Sequence, residues 1–369
     1  MTKKTVGPDV FSEWGSSNGI PSRNGSSESY VGSDNSHRHD LANALQSQGY
    51  HPVLIFGTQA SGKSSLLASL FHHLQSDPDS PAIAIPGGPL LPLDTAYGKE
   101  VHDQALHFFN TVVDNFFNGE AAPRTSDEAP YYIPVVLRPN NGQPEVKIAF
   151  LESRGEWYHI NRESRTLYPE LRGEVDDVYR RFTGALSILL VAPLVIGDVY
   201  EDEGESEFAL AEQRNTDSSL FGALQSYQSA RGMRDLDQYL FVLTKWDAYT
   251  KGLSSDEFSS PPEGVVDRLI ESRYPRAWQM FRAMQQRATP QAMRYCSGIM
   301  SGNVHVPTPH HLRHKLSPFP RRLWNWLYSN ATNGRDLSET LPNYPKDRAT
   351  PTVESLDRQV LRGIRKFLS

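Results

Sequence analysis

The stretch GTQASGKSS, residues 57–65, constrains this chain most, because it stands between the apolar run VLIF and a helical pattern. In a loop of the form G-x-x-x-x-G-K-S, Gly57 lets the chain leave a strand tightly and Gly62 lets the backbone approach a phosphate. Loop N–H groups and the positive end of the next helix face the phosphates. Lys63 reaches the β- and γ-phosphates, and the Ser64 hydroxyl binds Mg²⁺. The residues predicted to bind the nucleotide here are Gly57, Gln59, Ala60, Ser61, Gly62, Lys63, Ser64 and Ser65.

Composition excludes several other classes of protein. The chain has 369 residues, a net charge of −6 and one cysteine. No dense basic tract indicates nucleic acid, and a single cysteine builds no internal disulfide framework. The longest apolar run, residues 185–197, is too short for a membrane span and contains Pro193. The sequence therefore predicts a cytoplasmic protein without a membrane span or a nucleic-acid partner, and leaves the oligomeric state open.

Three regions are predicted along the chain. Residues 1–45 are rich in Ser, Gly and Asn and are interpreted as a disordered tail. Residues 46–302 alternate strand and helix patterns and are interpreted as one nucleotide-binding domain, with long insertions near residues 76–130 and 197–235. Residues 303–369 are interpreted as a helical extension, in which the tryptophans of RRLWNWLYS (residues 321–329) pack a helix against the core.

The strand patterns predict the order of the sheet. Two apolar runs, YYIPVVLRP (residues 131–139) and EVKIAFLES (145–153), flank Asn141-Gly142, which is strong turn chemistry for a β-hairpin. Further strands are predicted within residues 185–194, 238–247 and 293–300. The expected fold class is α/β: a three-layer phosphate-loop sheet, mostly parallel with one antiparallel hairpin strand, and helices on both faces.

The tetrapeptide TKWD, residues 244–247, resembles the N/T-K-x-D guanine box of the Ras-like, translation-factor class of phosphate-loop GTPases. A carboxylate can accept from both the ring N–H and the exocyclic amine of guanine, whereas adenine offers no such pair. The resemblance implies that Asp247 binds the guanine, that Lys245 covers the base and that Thr244 ties this loop to the phosphate loop. A hairpin before the second switch is also typical of that class.

The end of the hairpin is similar to the D-x-x-G box of the same family. In FLESRGEWY (residues 150–158), Gly155 matches, and the resemblance implies that its N–H bonds the γ-phosphate. Glu152 stands where the family has aspartate and would help to hold Mg²⁺. Glu156 stands where glutamine often orients the attacking water; it could act as a base, repel the γ-phosphate or be a solvated residue. Ser297 and Gly298 of YCSG would form the last guanine box.

The family also needs a switch threonine that completes the Mg²⁺ shell and senses the γ-phosphate. Two candidates lie between the first helix and the hairpin: Thr95 in PLDTAYGKE and Thr125 in PRTSDE. Thr95 is preferred, because it follows AIPGGPLLPLD, a Pro/Gly-rich loop of the kind that rearranges. The predicted catalytic residues are thus Lys63, Gly155, Glu156 and Thr95, and the predicted metal-binding residues are Ser64, Glu152 and Thr95.

The resemblance implies a switch that binds GTP and GDP, uses Mg²⁺ and hydrolyses GTP slowly until a protein effector or activator assists. Two alternatives stay open. A scaffold that binds GTP with little hydrolysis is motivated by Glu152 and Glu156. A phosphate-loop ATPase or phosphotransferase would use the same loop, although TKWD and the hairpin disfavour it.

Overall fold

The structure is a computed structural model. It describes residues 40–58, 60–76, 80–117, 131–152, 178, 180–194, 207–232, 236–246, 264–285, 291–295, 299–301, 304–306 and 318–339. All of these belong to one compact unit, Ser36–Ser369. Across these ranges, no helix combines the length and the apolar character that crossing a membrane requires.

A seven-stranded sheet forms the centre of the molecule. Its strand order is β2-β3-β4-β1-β5-β6-β7. The central strands are continuous apolar runs, and every residue of β5 is buried, as expected where both faces of a largely parallel sheet are covered. The strands are β1 Tyr50–Phe56, β2 Ala82–Pro86, β3 Tyr131–Pro139, β4 Val146–Glu152, β5 Ser187–Pro193, β6 Gln238–Thr244 and β7 Ala292–Arg294.

One strand, β3, runs against the others. It pairs antiparallel with β4, so that Tyr131 lies opposite Glu152, and also antiparallel with β2. The pairs β4–β1, β1–β5, β5–β6 and β6–β7 are all parallel. The predicted α/β sheet, mostly parallel with one antiparallel hairpin strand, is confirmed.

Strand β2 was not predicted, and part of it was interpreted as the Pro/Gly-rich loop of residues 84–94. The sequence AIAIP is only five residues long and ends at Pro86, so its sequence pattern is too short to indicate a strand. It forms a strand because β3 offers the edge that faces away from β4, from Val135 to Pro139.

The helices connect the strands and cover the sheet. Helix α1 ends just before β1, and α2 follows the phosphate loop directly. A π-helical segment, Phe108–Val113, joins α3 to α4 without a break. The helices are α1 Asp40–Ser47, α2 Lys63–Ser76, α3 Ala96–His107, α4 Asp114–Phe117, α5 Glu207–Arg231, α6 Val265–Arg273, α7 Pro275–Met284 and α8 Pro318–Ala331.

The predicted boundary of the tail at residue 45 falls inside α1 and is corrected. Leu41 and Leu45 are buried, since they lie on the face of α1 that packs against the core. The folded region therefore begins by residue 40, and residues 1–39 of the predicted tail lie outside the described residues.

The predicted last strand, residues 293–300, is divided between two sheets. Only β7 joins the large sheet, whereas β8 Ile299–Ser301 pairs with β9 Val304–Val306 in a separate two-stranded sheet. This small sheet crosses the boundary that was predicted at residue 302.

The C-terminal helix α8 packs into the core as predicted. Its buried residues include Trp324 and Tyr328, and the Trp324 indole N–H donates to the Leu70 carbonyl oxygen of α2 at 2.8 Å. The Trp324 ring also packs edge-on against Phe71 and Phe150. Helix α8 is thus part of the layer that supports the phosphate-loop helix.

Candidate functional site

The candidate site lies at the edge of the sheet where the parallel strands end. Strand β1 ends at Phe56 beside Leu190 of β5, and β4 ends at Glu152 beside Ile55. Carboxyl ends of parallel strands form the usual binding edge of an open α/β sheet. The phosphate loop leaves this edge after β1 and leads into α2.

The conformation of the phosphate loop favours glycine at both positions 57 and 62. A Cβ at Gly57 would lie 2.6 Å from the Ser61 Oγ and 2.7 Å from the Val191 carbonyl oxygen, so a side chain does not fit. Gly62 has φ +88° and Ala60 has φ +57°, which is the left-handed region. Left-handed residues within a short loop turn successive N–H groups toward one concavity, and such a nest binds anions.

The Lys63 side chain folds over this loop. Its Nζ donates to the Gly57 carbonyl oxygen at 2.9 Å and to the Thr58 carbonyl oxygen at 3.1 Å, and the residue is buried. The ammonium group is therefore already placed above the loop that is predicted to hold the phosphates. Ser65 lies beside it in the first turn of α2 and is half-buried.

Ser64 and Glu152, the residues predicted to bind Mg²⁺ from α2 and β4, are in contact. The Ser64 hydroxyl donates to Glu152 Oε1 at 2.7 Å. Glu152 is fully buried, and its Oε2 has no hydrogen-bond partner among the described residues. Burial raises the pKa of the Glu152 carboxyl above its ordinary value, while the nearby Lys63 charge and the Ser64 hydrogen bond oppose that rise.

This pair fits a magnesium ion. Mg²⁺ prefers oxygen ligands and is commonly held by one or two protein groups together with water and substrate phosphates. The described residues contain no cluster of three or more His, Cys, Asp or Glu side chains that could hold a metal without such help. A hydroxyl and a buried carboxylate with a free oxygen, next to a phosphate loop, are the donors that a nucleotide-bound Mg²⁺ needs.

The TKWD loop is tied to the phosphate loop, as its resemblance to a guanine box implied. The Thr244 hydroxyl donates to the Ser61 carbonyl oxygen at 2.6 Å. Lys245 follows with φ +56°, a left-handed conformation that is uncommon for a residue with a side chain. Trp246 is fully buried, and its backbone N–H donates to the Tyr295 carbonyl oxygen at 3.2 Å. The loop therefore turns sharply at Lys245 and is anchored on both sides.

Thr95 has a local structural role that was not predicted. It is the N-cap of α3: its Oγ1 accepts from the Gly98 N–H at 3.0 Å and donates to the Pro92 carbonyl oxygen at 3.0 Å. Such caps satisfy backbone groups at a helix start. The predicted role of Thr95 in the Mg²⁺ shell stays a prediction.

The remaining predicted site residues lie outside the described residues. They are Gln59, Thr125, Gly155, Glu156, Asp247, Ser297 and Gly298.

Sequence reasoning missed one contact at the site. The Tyr295 hydroxyl meets the Ser69 hydroxyl of α2, although the two residues are 226 positions apart. Tyr295 was visible as the first letter of YCSG, but no local pattern indicates a partner on α2.

The arrangement of loop and strands decides the fold. A phosphate loop leaves the central strand, and the strand that carries Glu152 lies between that central strand and the antiparallel β3. The chain has a phosphate-loop α/β fold in which one strand of the sheet is antiparallel. This agrees with the resemblance found in the sequence, in which the two strands before the second switch pair antiparallel.

Comparisons with known proteins add two distant likenesses. No protein-family model matches the chain, and no curated protein matches it. One similar solved structure is the signal recognition particle receptor SRb-GTP/SRX complex from Chaetomium thermophilum, at 17% identity and a TM-score of 0.36, covering 75% of this chain and 97% of that one. Another is a dimerization-deficient mutant of Toc33 from Arabidopsis thaliana, at 14% identity and a TM-score of 0.36, covering 82% of this chain and 93% of that one.

Proposed function

We propose that this protein binds GTP and GDP together with Mg²⁺ and hydrolyses GTP as a nucleotide-dependent switch. The observation that carries the proposal is the contact of Ser64 with the buried Glu152, directly beside Lys63 on the phosphate loop. These three side chains come from two elements, α2 and β4. They combine one cation, one hydroxyl and one carboxylate, the groups that a triphosphate and a metal ion bound together would need.

Each of these groups has a defined task toward the nucleotide. The loop N–H groups and the start of α2 bind phosphate oxygens. On binding, Lys63 exchanges the Gly57 and Thr58 carbonyl oxygens for phosphate oxygens, which attract its charge more strongly. Ser64 and Glu152 would hold the metal ion, which would supply positive charge to the phosphates. An attacking water and a switch threonine complete the proposed site.

Binding with competition tests the proposal. The full-length chain is titrated with fluorescent GTP in Mg²⁺, and then in excess EDTA. We expect tight binding that weakens when the metal is removed, and displacement by GTP and GDP. If no nucleotide binds with or without Mg²⁺, the proposal is wrong.

Base preference is the first prediction. We expect GTP to compete at least about 100-fold better than ATP, because a site with donors or acceptors built for one base leaves polar groups unpaired with another. Asp247→Asn should weaken GTP and favour xanthosine triphosphate, since the amide can donate to the xanthine oxygen. Competition titrations with the three nucleotides measure this. Equal competition by ATP and GTP would instead favour the ATPase alternative.

The rate of hydrolysis is the second prediction. We expect slow single-turnover hydrolysis, because the resemblance would place the negative charge of Glu156 near the attacking water, whereas phosphoryl transfer requires positive charge. A partner, or a second copy, that supplies an arginine should accelerate it. Single-turnover hydrolysis at rising protein concentration measures this. Arg154 precedes Gly155 in the sequence, so Arg154→Ala tests whether this chain supplies an arginine of its own. A fast rate that neither dilution nor Arg154→Ala changes contradicts the prediction; binding without hydrolysis under any condition favours the scaffold alternative.

A further inference from the structure

Tyr295 joins the two halves of the candidate site. It comes directly after β7, is 1% exposed, and lies between the TKWD loop and α2. Its main chain holds the end of β6 and the loop after it: the Tyr295 N–H donates to the Leu243 carbonyl oxygen at 2.8 Å, and its carbonyl oxygen accepts from the Trp246 N–H at 3.2 Å. The backbone of Tyr295 therefore fixes the segment that carries Lys245.

The side chain of Tyr295 reaches the phosphate-loop helix. Its hydroxyl bonds to the Ser69 hydroxyl, and it also lies 3.4 Å from the Leu66 carbonyl oxygen in the first turns of α2. The Ser69 hydroxyl donates to the same Leu66 oxygen at 2.8 Å. Either hydroxyl can be the donor in the bond between Tyr295 and Ser69, and both lie within reach of the Leu66 oxygen. One residue thus connects the helix that begins at Lys63 with the loop that begins at Lys245.

Packing from the C-terminal helix keeps this connection rigid. The Phe319 ring of α8 lies 6.4 Å from the Tyr295 ring, measured between centroids. The Arg294 guanidinium lies 5.2 Å from the centre of the Phe319 ring and 5.7 Å from that of Trp246. The buried Tyr295 ring is therefore packed against α8. Thr244, which bonds to the Ser61 carbonyl oxygen, forms a second tie between the same two loops.

We infer that Tyr295 is a positioning residue, which holds the base-binding loop in register with the phosphate loop through its hydrogen bond to Ser69. This inference rests on the proposed function, because it concerns how one nucleotide is gripped at both ends. A ligand that reaches both loops gains from their fixed spacing, since less ordering is needed on binding. A ligand that reaches only the phosphate loop gains nothing from it.

The test compares two ligands on the full-length chain by isothermal titration calorimetry in Mg²⁺. GTP contacts both loops, whereas inorganic tripolyphosphate contacts the phosphate loop alone. Tyr295→Phe removes one hydroxyl and keeps the ring. We expect the GTP affinity of this variant to fall about tenfold, as for the loss of one buried hydrogen bond, with the tripolyphosphate affinity unchanged.

Tyr328→Phe is the matched control. Tyr328 is also buried, and its hydroxyl donates to the Pro144 carbonyl oxygen at 3.0 Å, in the turn between β3 and β4. This change removes the same group without touching either loop, so both affinities should stay at the wild-type values. Ser69→Ala removes the partner of Tyr295 and should lower GTP affinity selectively. In the double variant, the two losses should be less than additive, because they break the same bond.

The outcomes separate the inference from the proposed function. If the wild type binds neither ligand, the proposed function is wrong and the inference falls with it. If the wild type binds GTP but Tyr295→Phe leaves the ratio of the two affinities unchanged, or if the losses in the double variant add fully, only the inference is wrong. Should Tyr295→Phe fail to fold, the same ratio measured on Ser69→Ala decides.

Discussion

Replacing Lys63 with alanine is expected to weaken GTP binding about 100-fold or more. In the structure, the Lys63 ammonium group is buried above the phosphate loop and bonds to two of its carbonyl oxygens, so it is already ordered when the nucleotide arrives. A hydrogen bond to a charged group contributes about 1.5–3 kcal/mol, and a triphosphate would receive two from this amine. Equilibrium binding of fluorescent GTP in Mg²⁺ measures the loss.

Two further variants make this result specific. Lys147→Ala removes an exposed lysine at the start of β4, at the opposite end of the strand from Glu152, and should leave GTP affinity unchanged. Lys63→Arg keeps the charge but replaces a compact ammonium with a planar fork, and should also bind poorly. The fold should survive Lys63→Ala, since α2 is held by the buried Leu66, Leu67 and Leu70. Wild-type affinity in the alanine variant would refute the phosphate site.

The strands could be predicted where a long apolar run or a turn sequence within one stretch of the chain indicates them. Strand β1 ends in the apolar run VLIF, and the β3–β4 hairpin has Asn141-Gly142 between two apolar-rich runs, so short-range chemistry indicates both. Strand β2 could not be predicted, because five residues ending in Pro86 become a strand only when β3 offers an edge. The structure of residues 293–300 likewise depends on which strands pair, because β8 pairs with β9 and does not extend β7.

The candidate site shows the same division. The phosphate loop follows from its own residues, and the meeting of Ser64 with Glu152, 88 positions apart, follows from placing β4 next to β1. The use of the Thr95 hydroxyl was not foreseen, because a threonine before a helix pattern suits an N-cap as well as a switch. The hydrogen bond between Tyr295 and Ser69 depends on how β7 and α2 pack, and a single sequence does not show such a contact between residues 226 positions apart.

Replacing Glu152 with glutamine is expected to have opposite effects on function and stability. The carboxylate is the buried oxygen donor beside Ser64, so its loss should lower the affinity for Mg²⁺ in the presence of GTP about 10- to 100-fold. The same change should stabilise the nucleotide-free protein at neutral pH by about 1 kcal/mol, because a neutral amide of the same size replaces a carboxyl group whose ionisation is disfavoured by burial. Thermal unfolding, with and without Mg²⁺ and GTP, measures both effects.

The raised pKa of Glu152 also makes the stability of the nucleotide-free protein depend on pH. The pKa of the Glu152 carboxyl is raised by burial, so the folded protein holds this proton more tightly than the unfolded chain does. The resulting stability is fully present below the ordinary pKa of 4.5 and is lost as the pH rises from there through the raised pKa of the folded state.

Glu152→Gln should remove this loss, whereas Glu145→Gln, at an exposed pair with Arg138, should behave as the wild type. Bound Mg²⁺ and GTP should remove the loss from the wild type as well, because the metal compensates the carboxylate charge. If Glu152→Gln shows the wild-type pH profile and wild-type Mg²⁺ affinity, Glu152 does not serve the metal.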